Sequence, residues 1–259
     1  MSGALDFYKY EGLGNDFVVI EAARDDAVTV DLARRLCDRR LGVGADGVLL
    51  VLPGAAGTDG RMRVINADGS IPEMCGNGLR CVALHVARTR NLAEGALRFD
   101  TDAGEKRCDV AGNVVTIDMG PVRHVGDVEL EGFAWSLGDA GNPHAITIQP
   151  ADRSTIERVG PRVEKHAHFP NGTNVEFAVV KAPDEIDLVV WERGVGITQA
   201  CGTGACATVA VAIAKGWVPA GGEVRVNLLG GPLSIRMTSE GHAIMRGPAS
   251  FVFRGSVPA

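Results

Sequence analysis

Apolar residues in this chain come mostly in runs of about four, fenced by glycine, asparagine and aspartate. Residues 17–20, 48–51, 62–65, 145–148 and 188–191 are such runs. Their length and β-branched content predict strands, and the polar fences predict turns. Two stretches break the rhythm. Leu79, Val82, Ala83 and Val86 recur at helical spacing, which predicts a helix with one apolar face. Residues 205–214 carry almost no polar positions, which predicts a helix buried all round. Each of these helices follows a Cys-Gly-x-Gly sequence, CGNG at Cys75 and CGTG at Cys201, 126 residues apart.

That spacing recurs. With an offset of 126 or 127 residues, GLGNDFVVIEA (12–22) falls on DAGNPHAITIQ (139–149), so Gly14-Asn15 matches Gly141-Asn142. GADGVLLV (44–51) falls on NGTNVEFAV (171–179), and MRVINADGS (62–70) on LVVWERGVG (188–196), with Asn66 opposite Glu192. CGNGLRCVALHVA then falls on CGTGACATVAVAI. Four coincidences in one order predict an internal duplication. The expected architecture is α+β, with two pseudo-symmetric domains over residues 1–119 and 120–249. Residues from about 250 to 259 are a candidate strand returning to the first domain. IDMGPVR (117–123), where Gly120-Pro121 interrupts the pattern, is the expected hinge.

Composition narrows the function. Of 259 residues, 46% are hydrophobic and 22% charged, with a net charge of −6. That balance leaves no basic footprint for nucleic acid or an anionic membrane. No apolar run is long enough to cross a bilayer. The first residues, MSGALDFYKYEGLGND, lack the basic and apolar regions of an export signal, so a cytoplasmic protein with reduced thiols is expected. Six cysteines, at 37, 75, 81, 108, 201 and 206, are spaced C-x5-C and C-x4-C where they are close. Zinc knuckles are spaced differently, and no metal is expected. Cys37, Cys81, Cys108 and Cys206 read as small buried hydrophobes. None of the lysines, at 9, 106, 165, 181 and 215, has the context of a Schiff-base residue.

A cysteine at a helix start has a chemical reading. Glycines there let backbone approach a ligand, and the helix N-terminus favours an anion such as a carboxylate. The same field is expected to lower the thiol pKa. Two such thiols on opposite faces of one carbon would invert a stereocentre, one removing a proton while the other returns one. The carbanion would be steadied by the two helix N-termini.

GLGNDF, NADGS, EMCGNGLRC, GNPH, NGTNVEF, ERG, ACGTGAC and the late GPASFVF together resemble the diaminopimelate epimerase family over essentially the whole chain. The resemblance implies two domains, each a β-sheet or barrel wrapped around a central helix, with an interdomain active site. It also implies a cofactor-independent amino-acid epimerase that converts LL- to meso-diaminopimelate, and a homodimer. It makes Cys75 and Cys201 the catalytic thiols, and Gly76, Asn77, Gly202 and Thr203 the cradle for the reacting carboxylate. Asn15, Asn66, Asn142, Asn174 and Arg193 would hold the distal end of the substrate, and Glu192 and His144 would support proton transfer. A guanidinium at Arg193 suits a carboxylate. Gly47 stands where some relatives have glutamine, and Thr203 where serine is frequent. Two alternatives remain open at this point. One is an isomerase of the same fold, of proline racemase or phenazine-biosynthesis type, against which the asparagines and Arg193 speak. The other is a thiol redox or metal-binding protein, which would be expected to show a Cys-x-x-Cys pair.

Overall fold

The computed structural model describes residues 4–258. In chain order, the first half carries β1 (Ala4–Gly12), β2 (Asn15–Glu21), α1 (Val30–Cys37), β3 (Gly47–Leu52), β4 (Gly60–Asn66), α2 (Gly76–Thr89), β5 (Glu94–Asp100), β6 (Lys106–Ala111) and β7 (Val114–Pro121). The second carries β8 (Arg123–Leu130), β9 (Phe133–Asp139), β10 (Pro143–Thr147), α3 (Arg153–Glu164), β11 (Asn174–Ala182), β12 (Glu185–Glu192), β13 (Gly196–Ile197), α4 (Gly202–Ala214), β14 (Glu223–Leu228), β15 (Gly231–Met237) and β16 (His242–Pro248). A last strand, β17 (Ser250–Pro258), closes the chain. Two compact units result: Asp118–Arg246, and the chain up to Ile117 together with Gly247 onward.

Each unit has the same topology. In the first, strands pair in the order β17, β1, β2, β3, β4, β5, β6, β7. All pairs are antiparallel except β2 with β3 and β4 with β5. In the second, the order is β8, β9, β10, β11, β12, β14, β15, β16, antiparallel except β10 with β11 and β12 with β14. β17 therefore fills in the first unit the place that β8 fills in the second, running along β1 from Ala4 to Glu11.

The helices explain the strand patterns. α2 touches β1 through β6 and β17, and α4 touches β8 through β11 and β15, so in each unit the sheet wraps one helix. α1 and α3 cover the other side. Val18, Ile20, Val48 and Leu50 pack in one cluster with Ala33 and Leu36 of α1. Trp135, Val175 and Phe177 do the same with Ile156, Val159 and Val163 of α3. Strands covered on both faces read as continuous apolar runs, as GVLLVL does in β3. Each such side chain, once fully buried, is worth roughly 1.5–3 kcal/mol.

Helix starts follow side-chain chemistry. Thr29 caps α1 by accepting from the Leu32 N–H at 3.2 Å, and Asp152 caps α3 by accepting from the Thr155 N–H at 2.8 Å. α4 is buried on all sides from Gly204 to Ala212, while its last turn at Ala214 emerges to solvent. Strand 145–148 ends one residue early, since Ile148 is exposed. Within the segment expected as the hinge, residues 117–123, Gly120 and Pro121 do not themselves interrupt the strand. Both residues belong to β7, Gly120 takes φ 91, and the units divide between Ile117 and Asp118. Pro121 is the last residue of its strand, where the missing N–H matters least.

Candidate active site

In the first unit Cys75 is the N-cap of α2. Its backbone is extended and its Sγ accepts from the Gly78 N–H at 3.4 Å. The thiol thus serves one of the four N–H groups that a helix start leaves without an internal partner. Gly76 and Asn77 are the first two helical residues. Asn77 Nδ2 donates to Asn15 Oδ1 at 3.2 Å, and Asn15 Nδ2 donates to Asp46 Oδ2 at 2.7 Å. Asn66 stands across from Gly47 in the β3–β4 ladder and donates to Ser70 Oγ at 2.9 Å. A Cβ on Gly47 would meet the Ile65 carbonyl oxygen at 3.0 Å, so this backbone crowds any larger residue there.

Charged groups brace this side. Lys9, buried, bridges Asp16 at 2.5 Å, and Arg39 reaches Asp16 at 2.6 Å and Asp46 at 2.7 Å. Burial raises the Asp16 pKa, but hydrogen bonds from Arg39 and Lys9 outweigh it and hold the carboxyl below its ordinary value.

In the second unit Cys201 caps α4 in the same way, with Sγ accepting from the Gly204 N–H at 3.4 Å and 3.5 Å from Thr203 Oγ1. Gly202 and Thr203 are its first helical residues. Here the surroundings differ. Glu192 accepts from Thr198 Oγ1 at 2.5 Å. His144 is buried, with Nδ1 2.6 Å from Glu176 Oε1 and Nε2 2.9 Å from Asn142 Oδ1. The Arg193 N–H donates to Asn174 Oδ1 at 3.0 Å, and its Nη1 donates to the Asn171 carbonyl at 3.0 Å. Asn174 Nδ2 donates to the Pro143 carbonyl at 3.2 Å. Gly172, at φ 72, lets the Arg193 side chain pass; a Cβ there would meet its Cδ at 2.9 Å.

The expected lowering of the thiol pKa fails at Cys201. Burial first, then the carboxyls of Glu192 and Glu176, push this thiol well above its ordinary value, against the bonds from Thr203 and Gly204. Desolvation disfavours the charged form of an acid, and at this helix start it outweighs the dipole. Burial likewise raises Glu192, opposed by Thr198 and Cys201.

The first unit thus gathers Asn15, Asn66, Cys75, Gly76 and Asn77, and the second gathers Asn142, His144, Asn174, Glu192, Arg193, Cys201, Gly202 and Thr203. Sequence reasoning missed Glu176, fully buried beside His144, and Glu164, whose carboxylate holds the turn after β12. Asn-Val-Glu-Phe alternates like a half-solvated strand, which hid Glu176. Its register against Leu49 in the repeat was the available signal. Cys37, Cys81, Cys108 and Cys206 are buried as expected.

Two α+β units of one topology, each opening its central helix on a cysteine, define a fold shared with solved racemase-like and isomerase-like proteins. A predicted epimerase from Pseudomonas aeruginosa matches with a TM-score of 0.77 at 16% identity, over 98% of this chain and 99% of that one. A probable proline racemase from Agrobacterium radiobacter matches at 0.74 and 15%, over 98% and 92%. Sequence goes further than fold. The diaminopimelate epimerase family model matches residues 7–125 and 137–252. Diaminopimelate epimerases of Gloeothece citriformis and Heliobacterium modesticaldum are 41% and 42% identical, over 97% and 98% of this chain and 98% and 100% of theirs. The chain belongs to the diaminopimelate epimerase family, and is an isomerase acting on amino acids.

Proposed function

We propose that the protein interconverts LL- and meso-diaminopimelate by a two-thiol proton transfer, with Cys75 and Cys201 on opposite faces of one α-carbon. The observation that carries this reading is the repeated cap: each unit places a thiol at N-cap, with the N–H groups of Gly76 and Asn77, or Gly202 and Thr203, at the positive end of a helix. A carboxylate gaining enolate character is what such a cradle stabilises. Cys75 takes the proton from Cα, and Cys201, kept protonated first by burial and then by its carboxyl neighbours, returns one from the other face; the roles exchange in the reverse direction. Glu192 and His144 support transfer at Cys201. Asn15, Asn66, Asn142, Asn174 and Arg193 grip the distal amino-acid end, which distinguishes this substrate from proline.

The pathway this serves is lysine and peptidoglycan-precursor synthesis, in the cytoplasm, with the enzyme as a homodimer and residues 1–119 and 120–249 as its two epimerase halves. The test is incubation with LL-diaminopimelate in D2O. Deuterium should enter Cα as meso product forms; absence of both exchange and product would sink the reading.

A further inference from the structure

The repeat shows what Glu176 replaces. Phe17 pairs with Gly47 across β2 and β3, and His144 pairs with Asn174 across β10 and β11. Two residues further along, Leu49 and Glu176 hold the same place. A Cβ on Gly78 would meet Leu49 Cδ2 at 2.9 Å, and a Cβ on Gly204 would meet Glu176 Oε1 at 2.9 Å. The framework is therefore satisfied by Phe17 and Leu49 in one unit, yet in the other it buries a histidine and a carboxyl. Burying such a pair costs more than burying hydrocarbon of similar size, so packing does not account for it.

The hydrogen bonds do. Oε1 of Glu176 lies 2.6 Å from His144 Nδ1, and His144 Nε2 lies 2.9 Å from Asn142 Oδ1. Oδ1 only accepts, so Nε2 carries a proton and donates. A second proton lies between Nδ1 and Oε1, and the relay has the same sense whichever atom owns it. Asn142 is then fixed with Oδ1 turned to the protein and Nδ2 as the donor it offers a ligand. Asn15, its counterpart, has both ends of its amide engaged by the protein, Nδ2 by Asp46 and Oδ1 by Asn77.

We propose that Glu176 is a positioning residue, which through His144 sets the amide of Asn142 so that its Nδ2 meets an acceptor, a carboxylate oxygen, on the substrate. This rests on Asn142 being a substrate contact, and the experiment separates the two claims. Selective 15N labelling of histidine, with His144 assigned by its loss in H144Q, reads the tautomer at pH 7.5 without substrate. Kinetics with diaminopimelate read the consequence.

In the wild type and in E176Q, whose amide can still bond Nδ1, His144 should hold its Nε2 proton. In E176L the proton should divide between Nε2 and Nδ1. KM should rise about tenfold in E176L, with kcat moving less, and stay within about threefold in E176Q. A wild-type tautomer and KM in E176L, or equal damage in E176L and E176Q, overturns the proposal. If E176L does not fold, H144F/E176L, which borrows the Phe17–Leu49 pair of the first unit, replaces it, and a wild-type KM there overturns the proposal equally. A wild-type protein inactive on diaminopimelate would defeat the functional reading, while the tautomers would still decide the relay.

Discussion

The Trp191 indole donates to the Glu164 carboxylate over 2.7 Å, and the other oxygen of that carboxylate takes the Gly194 N–H at 2.9 Å. One buried side chain at the end of α3 thus grips the turn that carries Arg193 from both flanks. A Cβ on Gly160 would stand 2.7 Å from the Trp191 ring, so helix and turn are in close contact. Glu164→Ala should cost about 1–2 kcal/mol in urea unfolding, because two partly buried donors lose a charged acceptor. It should also lower kcat/KM, as Arg193 loses its fixed base. Unchanged stability and kinetics would show that the turn holds itself.

Arg193→Met removes the guanidinium and keeps the stem. The loss should appear in kcat/KM even if the inverted carbon lies far from residue 193, since remote binding energy positions the reacting centre. A wild-type kcat/KM would make Arg193 a surface charge.

Cys75→Ala and Cys201→Ala should each lose epimerisation by roughly 10²–10⁴-fold or more while remaining folded. Near-normal turnover by either folded variant rules out the two-thiol mechanism.

Gly204→Ala puts a methyl group 2.9 Å from Glu176 Oε1 and 3.3 Å from Cys201 Sγ, where Oε1 is buried and held by His144. It should destabilise by about 1–3 kcal/mol. Gly222→Ala, where a Cβ meets nothing within 4 Å, should stay within about 0.5 kcal/mol of wild type. Equal melting temperatures for the two variants would contradict the packing around Cys201.

Stability should fall with rising pH in the alkaline range. Burial pushes the Cys37 thiol up to about 11, that of Cys108 to about 12, and Cys81 and Cys201 also well up. An unfolded thiol titrates near about 8.5. Below that pH both states keep the proton and the contribution is fully present. Above it only the unfolded chain releases protons, so stability drains away until the folded values are passed. Each thiol adds a slope of about 1.4 kcal/mol per pH unit in its window. Urea unfolding under reductant between pH 8 and 10 should show the decline, and Cys37→Ala/Cys108→Ala should flatten it by two thiols' worth. An identical slope in the double variant would refute the assignment.

Much of this molecule was legible in the chain alone. The strand runs, the helices after Cys75 and Cys201 and the duplication follow from residue types and spacing, because periodicity and turn chemistry are local; the family was legible as a resemblance of whole motifs. The cysteine caps were legible for the same reason, as a cap is settled within one helical turn. Other features were decided by residues far apart in sequence. A returning C-terminal strand was expected, but its partner β1 and the register between them are encoded by no local pattern. Glu176 looks like the outward residue of an alternating strand, and it becomes buried only because α4 lies against that face of β11. Cys201 shares the Cys-Gly-x-Gly pattern of Cys75, which predicts an easily ionised thiol. The tertiary structure reverses this by removing water from it and then by setting Glu192 and Glu176 near it. A helix dipole is set by a few consecutive residues, but desolvation depends on everything that packs nearby, and that is fixed only when the whole unit folds.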